Sequence, residues 1–266
     1  MDRILETSNK ERILGCHSYS AIVGGSTDLQ LLSIHDHNIS LTTEGKNYED
    51  GAYIFKYRRD INNETITEKI LTSSKDLAII CILPVPPLYV SENMSNHLCL
   101  RFKYPIVVDQ DQRLDFYTKM PIEIGVYKKS NKKGMILIDC FSLCKQQYTL
   151  YGTPERGLIC RYKETETYTS EPATAKFEEA LISTRIINDT DKIVQLNKLI
   201  IPLNTVVIDY KDDIAYISRR IEIKVGTLFG KEIANVQMVN AMIWDTEVSP
   251  LQSKENTFTF LMDKGF

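Results

Sequence analysis

The segment IEIKV at residues 221–225 alternates apolar and charged side chains at every position. Successive side chains of a β-strand point to opposite faces, so this pattern is typical of a strand with one buried and one solvated face. The same period recurs at residues 53–58, 98–102, 122–127 and 180–186. Helical periodicity is weak and is confined to Asp2–Leu14 and Glu232–Met242. The pattern therefore predicts a chain built mainly from strands.

Turn residues separate about fourteen to eighteen such segments. Examples are Glu49-Asp50-Gly51, Ile61-Asn62-Asn63 and Lys211-Asp212-Asp213. Short strands at regular spacing with turns between them are typical of antiparallel sandwiches or barrels. One sandwich rarely holds so many strands. We therefore predict an all-β fold of two antiparallel β-sandwich-like units with little helix.

The domain boundaries follow from changes in this rhythm. Residues 164–174 are polar, contain Pro172 and lack alternation, so they are the expected connection between two units. We predict an N-terminal extension at residues 1–28, a first β-rich unit at 29–170 and a second at 171–266. Ile79–Pro84 and Leu196–Pro202 both end an apolar run in proline. This weak echo leaves open whether the two units arose by duplication.

Composition narrows the class of protein. The 266 residues are 43% hydrophobic and 25% charged, which is typical of a globular chain and excludes disordered, coiled-coil and collagen-like classes. The formal net charge of −3 argues against a nucleic-acid partner. The longest apolar run, Leu77–Leu83, is too short to span a bilayer, and the N-terminus has no signal-peptide pattern. We expect a cytoplasmic protein without a membrane segment.

The six cysteines stand at positions 16, 81, 99, 140, 144 and 160. Without an export signal we expect all of them to be free thiols. Cys81, Cys99 and Cys160 lie in apolar runs and are expected to be buried. Cys140 and Cys144 are four residues apart, but no second cysteine or histidine pair follows nearby, so we predict no metal site.

Three polar clusters have both a chemical and a structural interpretation. His35-Asp36-His37 would place two imidazoles on one side of a strand, but Asp36 and Asn38 favour a hairpin tip. Residues 109–113 resemble half of a calcium loop without its turn glycine and terminal glutamate, so a solvated turn is expected. Residues 128–134 contain four lysines, which could bind an anionic surface or simply form a solvated hairpin tip.

The richest segment is YTLYGTPERGLICRY at residues 148–162, which predicts a strand, a tight turn and a second strand. Its tyrosine rings and arginine donors could bind a planar or anionic ligand or a partner chain. We take as candidate binding residues Tyr148, Tyr151, Arg156, Arg161 and Tyr162. The alternative is that the tyrosines are half-buried sheet residues and the arginines pair with nearby glutamates.

Catalytic and cofactor signatures are missing from the sequence. It has no nucleophile elbow, phosphate-binding glycine loop, zinc-protease motif or dinucleotide fingerprint, so we predict no cofactor and no catalytic residues. Glu123 and Asp139 lie on neighbouring predicted strands in apolar surroundings. If they converged in a sandwich groove, they could serve a carbohydrate- or ester-directed hydrolase.

Several segments resemble an archaeal domain-of-unknown-function family, number four hundred and thirty-two. The matching segments are residues 82–88, 120–127, 138–143, 148–162 and 258–266. The resemblance runs from about Leu29 to the C-terminus and leaves the first 28 residues outside it. The family has no established activity and no catalytic residues to transfer. Some members are joined to small mechanosensitive-channel domains, which implies a regulatory or interaction role.

The leading functional prediction is therefore a non-catalytic binding or regulatory module for a protein partner or a small ligand. One alternative is the hydrolase with converging carboxylates. The other is a structural homo-oligomer that assembles through sheet edges.

Overall fold

The protein is predominantly β-strand. The computed structural model describes residues 13–21, 27–46, 51–90, 94–130, 134–228, 231–240, 244–247, 249–251 and 259–263. Strands make up 67% of these residues and helix 1%, which confirms the all-β prediction. No helix in this part of the chain has the length and apolar character needed to cross a membrane.

The strands of the described residues are numbered in chain order. They are β1 (Gly15–Ser20), β2 (Thr27–Ile34), β3 (His37–Lys46), β4 (Tyr53–Ile61), β5 (Glu64–Ser73), β6 (Leu77–Val85), β7 (His97–Val108), β8 (Arg113–Pro121), β9 (Glu123–Ser130), β10 (Gly134–Phe141), β11 (Tyr148–Tyr151), β12 (Leu158–Thr165), β13 (Glu179–Asn188), β14 (Val194–Pro202), β15 (Ile208–Lys211), β16 (Ile214–Ile217), β17 (Arg220–Leu228), β18 (Lys231–Val239) and β19 (Thr259–Asp263). A 3-10 turn at Leu203–Thr205 follows β14.

These strands form two compact units, each with two sheets. Unit 1 contains the described residues of Met1–Leu83 and Gly125–Cys140, and unit 2 contains those of Pro84–Ile124 and Phe141–Phe266. The units are interleaved in sequence, because the chain enters unit 2 before it completes unit 1. The domain boundaries proposed from sequence lie at residues 28 and 170. Whether the segments they separate fold independently stays a prediction.

Unit 1 consists of the sheets β1-β6-β9-β10 and β2-β3-β4-β5. The second sheet is an antiparallel meander with two-residue turns at His35-Asp36 and Asn62-Asn63. Both asparagines have positive φ angles, of 51° and 67°, which matches the turn type that suits tight hairpins. His35 also has a positive φ angle, of 50°, and Ile34 pairs with His37 across the turn. His35-Asp36-His37 thus belongs to a hairpin tip, which is the structural interpretation of this cluster. The core receives fully buried side chains such as Phe55 and Ile80 from the two sheets.

Unit 2 consists of the sheet β11-β12-β7-β14 and a seven-stranded sheet with the order β15-β16-β13-β17-β18-β19, in which β8 also pairs with β13. Both sheets are mixed, because β12 runs parallel to β7 and β13 runs parallel to β16 and β17. Phe102 and Phe116 pack edge to face between the sheets at 5.8 Å. The buried hydroxyls of Thr118 and Thr165 share a hydrogen bond of 2.8 Å.

The structure settles several local predictions. The helix candidate Glu232–Met242 was wrong, since residues 231–239 form β18 and pair with β17 along their whole length. Residues 2–12 of the other helix candidate lie outside the described residues, as do residues 131–133 of the lysine-rich turn. Residues 109–113 form the expected turn between β7 and β8, in which the Gln112 N–H donates to the Asp109 carbonyl over 3.3 Å.

The prediction of six free cysteines was wrong for two of them. Cys16 and Cys81 form a disulfide between β1 and β6. They are 65 residues apart in sequence, but antiparallel pairing places them directly opposite each other. Cys99 and Cys160 are free and buried, as expected. Burial raises the pKa of the Cys160 thiol to about 12, so this side chain is a packed apolar group and not a nucleophile.

Candidate functional site

The segment with the candidate binding residues folds as the predicted hairpin of β11 and β12. Tyr148 lies opposite Arg161 and Tyr151 lies opposite Leu158. Side chains alternate between the faces of the hairpin. Tyr148 and Arg161 therefore share one face, and Tyr151 and Tyr162 share the other.

Two glycines allow the tight backbone geometry of the connecting turn. Gly152 has a φ of +102°, a conformation that residues with a Cβ atom rarely adopt. A Cβ atom on Gly157 would lie 2.5 Å from the Thr153 carbonyl oxygen and 2.6 Å from Leu150 Cδ1. Leu150 therefore packs directly on the Gly157 backbone. The turn holds the two strands at a fixed separation, which fixes the register of every side chain on the hairpin.

The hairpin exposes an apolar pair beside Tyr148. Leu150 and Ile159 lie directly opposite each other and are 45% and 50% exposed. Tyr148, on the same face of β11, is 36% exposed. Paired aliphatic side chains on a sheet usually face the core. Because both members of this pair are exposed, they form a small apolar surface in contact with solvent.

Arg161 anchors this face of the hairpin to the interior of unit 2. Its side chain is 4% exposed, and its Nη1 atom lies 3.5 Å from Glu123 Oε1. The same nitrogen donates to Gln146 Oε1. The guanidinium carbon also lies 5.9 Å from the ring centre of Tyr148. Arg161 is thus a buried, partnered group, and its carboxylate partner is 38 residues away and not one of the nearby glutamates that the sequence suggested.

Glu123 is the buried centre of this network. Its side chain is fully buried and accepts hydrogen bonds from the Tyr89 N–H at 2.7 Å and the Val90 N–H at 3.1 Å. Gln146 Nε2 donates to the other carboxylate oxygen over 3.0 Å. Each oxygen therefore has protein partners, which is what a buried charge requires to be tolerated. Glu123 holds the turn that follows β6 against the base of the hairpin.

Gln146 connects this buried charge pair to the surface. Its amide nitrogen donates to Glu123, and its amide oxygen accepts from Arg161 and from the Tyr148 hydroxyl, the latter over 2.9 Å. The chain of contacts runs from a fully buried carboxylate to a tyrosine ring at the protein surface. This arrangement fixes the position of Tyr148 without covering it.

The other three candidate residues lie apart from this network. The Tyr151 ring lies under the Lys198 ammonium at 5.3 Å, and Tyr162 is half-buried with its backbone N–H donating to the Gln147 carbonyl over 2.8 Å. Arg156 is exposed in the turn, where its backbone N–H donates to the Thr153 carbonyl over 3.2 Å. The structure thus brings together Tyr148 and Arg161 but not the full predicted set.

Small cavities lie among the described residues of unit 2. A cleft of about 40 Å³ opens beside Gln146 and Arg161, and Ser142 and Cys144 line it. A second cavity of about 140 Å³ is lined by apolar residues such as Leu88 and Leu203 together with the polar Asn204 and Ser249. Pockets for small organic ligands usually measure roughly 300–1,000 Å³, and one water molecule occupies about 30 Å³. The cleft therefore suits a water molecule or the tip of one side chain.

The carboxylates of the hydrolase alternative both have structural partners. Asp139 lies in unit 1, where it accepts from Tyr57 Oη at 2.9 Å and from Arg59 Nε at 2.6 Å. Burial, followed by the Asp139 charge, raises the pKa of Tyr57 well above its ordinary value, so the phenol stays protonated and donates. Glu123 lies in unit 2 with the partners given above. Each carboxylate stabilises its own unit.

Sequence reasoning missed Gln146, Leu150 and Ile159. Gln146 stands two residues before the tyrosine-rich segment, and its role depends on Glu123, which is 23 residues away. Leu150 and Ile159 carry an ordinary strand pattern, in which exposed and buried aliphatic residues look the same. The described ranges contain no group of three or more His, Cys, Asp or Glu side chains arranged to bind a metal ion.

Comparison with known proteins places the chain in a family. A family model described as "Protein of unknown function (DUF432)" matches residues 25–263. No curated protein and no solved structure matches the chain. The matched range covers most of the chain, including the hairpin, and leaves β1 outside it. It confirms the resemblance to this family that was drawn from the sequence segments. The chain belongs to the DUF432 family of proteins of unknown function.

Proposed function

We propose that this protein is a non-catalytic binding and regulatory module that binds a partner protein on the β11–β12 hairpin. The observation that carries the proposal is the exposed pair Leu150 and Ile159 beside Tyr148. Aromatic and aliphatic side chains that lose their water on contact supply most of the affinity of protein interfaces. The buried network behind them contributes rigidity.

The rigidity of the hairpin supports this assignment. Arg161, Gln146 and Glu123 fix the base of the hairpin, and the two glycines shape its turn. A surface that is already ordered before binding loses little conformational entropy when the complex forms. The same contact area on a loose loop would bind more weakly.

Two further features favour a protein partner over a small ligand. The cavities described above are smaller than those that usually enclose an organic molecule. Strand β11 lies at one end of its sheet order, so one of its backbone edges can accept an added strand. A partner could thus pair with β11 while its side chains cover Leu150 and Ile159.

The setting that we propose is the cytoplasm. The absence of a membrane-crossing helix among the described residues is compatible with it. An archaeal origin, implied by the sequence resemblance, stays an expectation. Regulation of an attached or associated protein would fit a module of this kind.

The test compares surface variants in affinity capture from a lysate of the source organism, with quantitative mass spectrometry of the captured proteins. Leu150→Lys and Ile159→Lys should each lower capture of the specific partner at least tenfold. Arg156→Ala should weaken binding by about 1–3 kcal/mol if the turn takes part in the contact. Ile193→Lys, at an exposed position just before β14, is the matched control and should leave capture unchanged. Equal loss in all variants, or in none, would contradict the proposal.

A second candidate function is a structural homo-oligomer, and one observation favours it. Strand β5 is ten residues long and lies at the edge of the sheet β2-β3-β4-β5, with Ile66 52% and Ile70 69% exposed. Exposed edge strands with apolar side chains tend to pair with a second copy. Lys128 donates to the Thr72 carbonyl and covers one end of this edge. Light scattering over a range of concentrations should then give a dimer that Ile70→Lys converts to a monomer.

A further inference from the structure

The disulfide between Cys16 and Cys81 joins two very different environments. Cys81 is fully buried in β6, whereas Cys16 is exposed on β1. Strand β1 is the outermost strand of the sheet β1-β6-β9-β10, and among the described strands it pairs with β6 alone. The disulfide therefore links a surface strand to the core of unit 1. Of its two cysteines, Cys16 is exposed to solvent and Cys81 is not.

Other contacts hold β1 only lightly. Cys16, Ser18 and Ser20 are exposed, and His17 and Tyr19 are half-buried. Burial of apolar surface, the main source of attachment for most strands, is therefore small within β1 itself. The buried apolar residues lie at its two ends, where Leu14 is 4% and Ala21 is 9% exposed. Backbone pairing with β6 runs from Gly15 to Ser20, and the Ala21 N–H donates to the Asp76 carbonyl over 2.6 Å.

Strand β6 has the opposite character. Ala78, Ile80 and Ile82 are at most 1% exposed, and β6 also pairs with β9 on its other side. Removal of β1 would leave β6 in place as a new edge strand. Its backbone N–H and C=O groups on that side would lose their partners and would accept another strand.

We propose that Cys16–Cys81 is a redox-modification site whose reduction by a dithiol releases β1 from the edge of β6. Disulfides in the cytoplasm are usually transient and redox-sensing, so the proposed location would supply the reductant. The chemistry of the site does not depend on that location, nor on partner binding at the hairpin.

The exchange follows from the two environments. A thiolate of the dithiol attacks Sγ of the exposed Cys16, the Cys16–Cys81 bond breaks, and Cys81 leaves as a thiolate that takes up a proton. The second thiol of the reductant, as a thiolate, then attacks the reductant sulfur that is bonded to Cys16 Sγ in the mixed disulfide. That step releases Cys16 as a thiol and converts the reductant to a disulfide. Two electrons and two protons pass from the dithiol to the two cysteines.

Hydrogen exchange followed by mass spectrometry tests the proposal on the full chain. Oxidised protein is compared with protein reduced by dithiothreitol, at one pH and temperature. Reduction should speed exchange of the amides of residues 15–20 at least tenfold and should also speed exchange on the β1-facing side of β6. Exchange in β4 should stay unchanged, because it lies in the other sheet of unit 1.

Two variants complete the test. Cys16→Ser cannot form the bond and should exchange rapidly in β1 with or without dithiothreitol. Cys99→Ser removes a free buried thiol of unit 2 and should respond to dithiothreitol as the unmodified protein does. The proposal is overturned if β1 exchanges equally in the oxidised and reduced states. It is also overturned if reduction speeds exchange in β1 and β4 together, since this would indicate general unfolding and not the release of one strand.

Discussion

A buried arginine–carboxylate pair lies in each of the two units, and the two pairs differ in where their hydrogen-bond networks end. In unit 1, Asp139 accepts from Arg59 and Tyr57, and both partners are buried. In unit 2, Glu123 lies beside Arg161, and the network continues through Gln146 to a partly exposed tyrosine. The first network stays among buried and half-buried side chains, whereas the second reaches an exposed tyrosine ring.

This difference separates two uses of the same chemistry. The Asp139 network joins β4 to β10, strands of the two sheets of unit 1, and all its groups serve packing. The Glu123 network also stabilises its unit, but it determines in addition where the β11–β12 hairpin presents its side chains. Substitutions in the first network should therefore change stability alone. Substitutions in the second should change stability at its buried end and binding at its exposed end.

The largest effect is expected for Glu123→Ala. The substitution leaves the buried Arg161 without its carboxylate and removes the acceptor of two backbone N–H groups. Loss of one partner from a buried ion pair costs about 3–5 kcal/mol. Urea unfolding should show this decrease in the free energy of unfolding. Glu166→Ala, at an exposed ion pair with Lys103, is the control and should show no measurable change. Similar effects of the two variants would mean that Glu123 is not the centre of its network.

A somewhat smaller loss is expected for Asp139→Ala. Arg59 would lose its carboxylate but keep the Thr67 hydroxyl, to which its Nη2 donates over 3.3 Å. We expect a loss of about 3 kcal/mol, at the lower end of the range for buried pairs. Arg59→Met combined with Asp139→Leu should recover part of it, because no unpaired charge remains although the buried Tyr57 hydroxyl still lacks its acceptor. Neither variant should change partner capture by the hairpin, and a loss of capture in the folded variants would contradict the division between the two networks.

Gly157→Ala tests the hairpin turn itself. The new Cβ would meet the Thr153 carbonyl and Leu150, and a clash with backbone cannot be relieved by a side-chain movement. Overpacking of this kind costs about 1–3 kcal/mol. Gly226→Ala is the matched control, since no atom lies within 4 Å of a Cβ placed there. It should leave stability unchanged or raise it by about 0.5 kcal/mol. Thermal unfolding of the two variants distinguishes the outcomes, and equal melting temperatures would show that the turn can relax.

The sequence predicted the fold class well because strand alternation is a local property. The hairpin at residues 148–162 and the turn near Asp36 follow from neighbouring residues alone. The first appears where it was expected, and the second lies at His35-Asp36, slightly before the expected tip at residues 36–38. The mixed sheets of unit 2 were not predicted, since alternation is the same in parallel and antiparallel strands. The 3.6-residue period seen near residue 232 was a coincidence that pairing with β17 overrode.

The candidate site was harder to predict, because its central contacts join distant positions. Arg161 and Glu123 are 38 residues apart, and Cys16 and Cys81 are 65 apart. No local pattern marks such pairs. A sequence also does not distinguish a buried arginine from an exposed one, so Arg156 and Arg161 looked equivalent although one lies in the turn and the other is an anchor.

The smallest effect on stability is expected for Tyr148→Phe, and this variant gives the sharpest comparison of the two networks. The change removes one hydroxyl, which donates to Gln146 at the exposed end of the Glu123 network. Gln146 Oε1 still accepts from Arg161, and water can replace the lost donor at a residue that is 36% exposed. The free energy of unfolding should therefore fall by less than about 1 kcal/mol. Tyr57→Phe removes the equivalent hydroxyl from the Asp139 network, at a residue that is fully buried, and should cost about 1.5–3 kcal/mol. Chemical unfolding of both variants measures the contrast, and equal losses would show that both networks are closed to solvent and serve only the core.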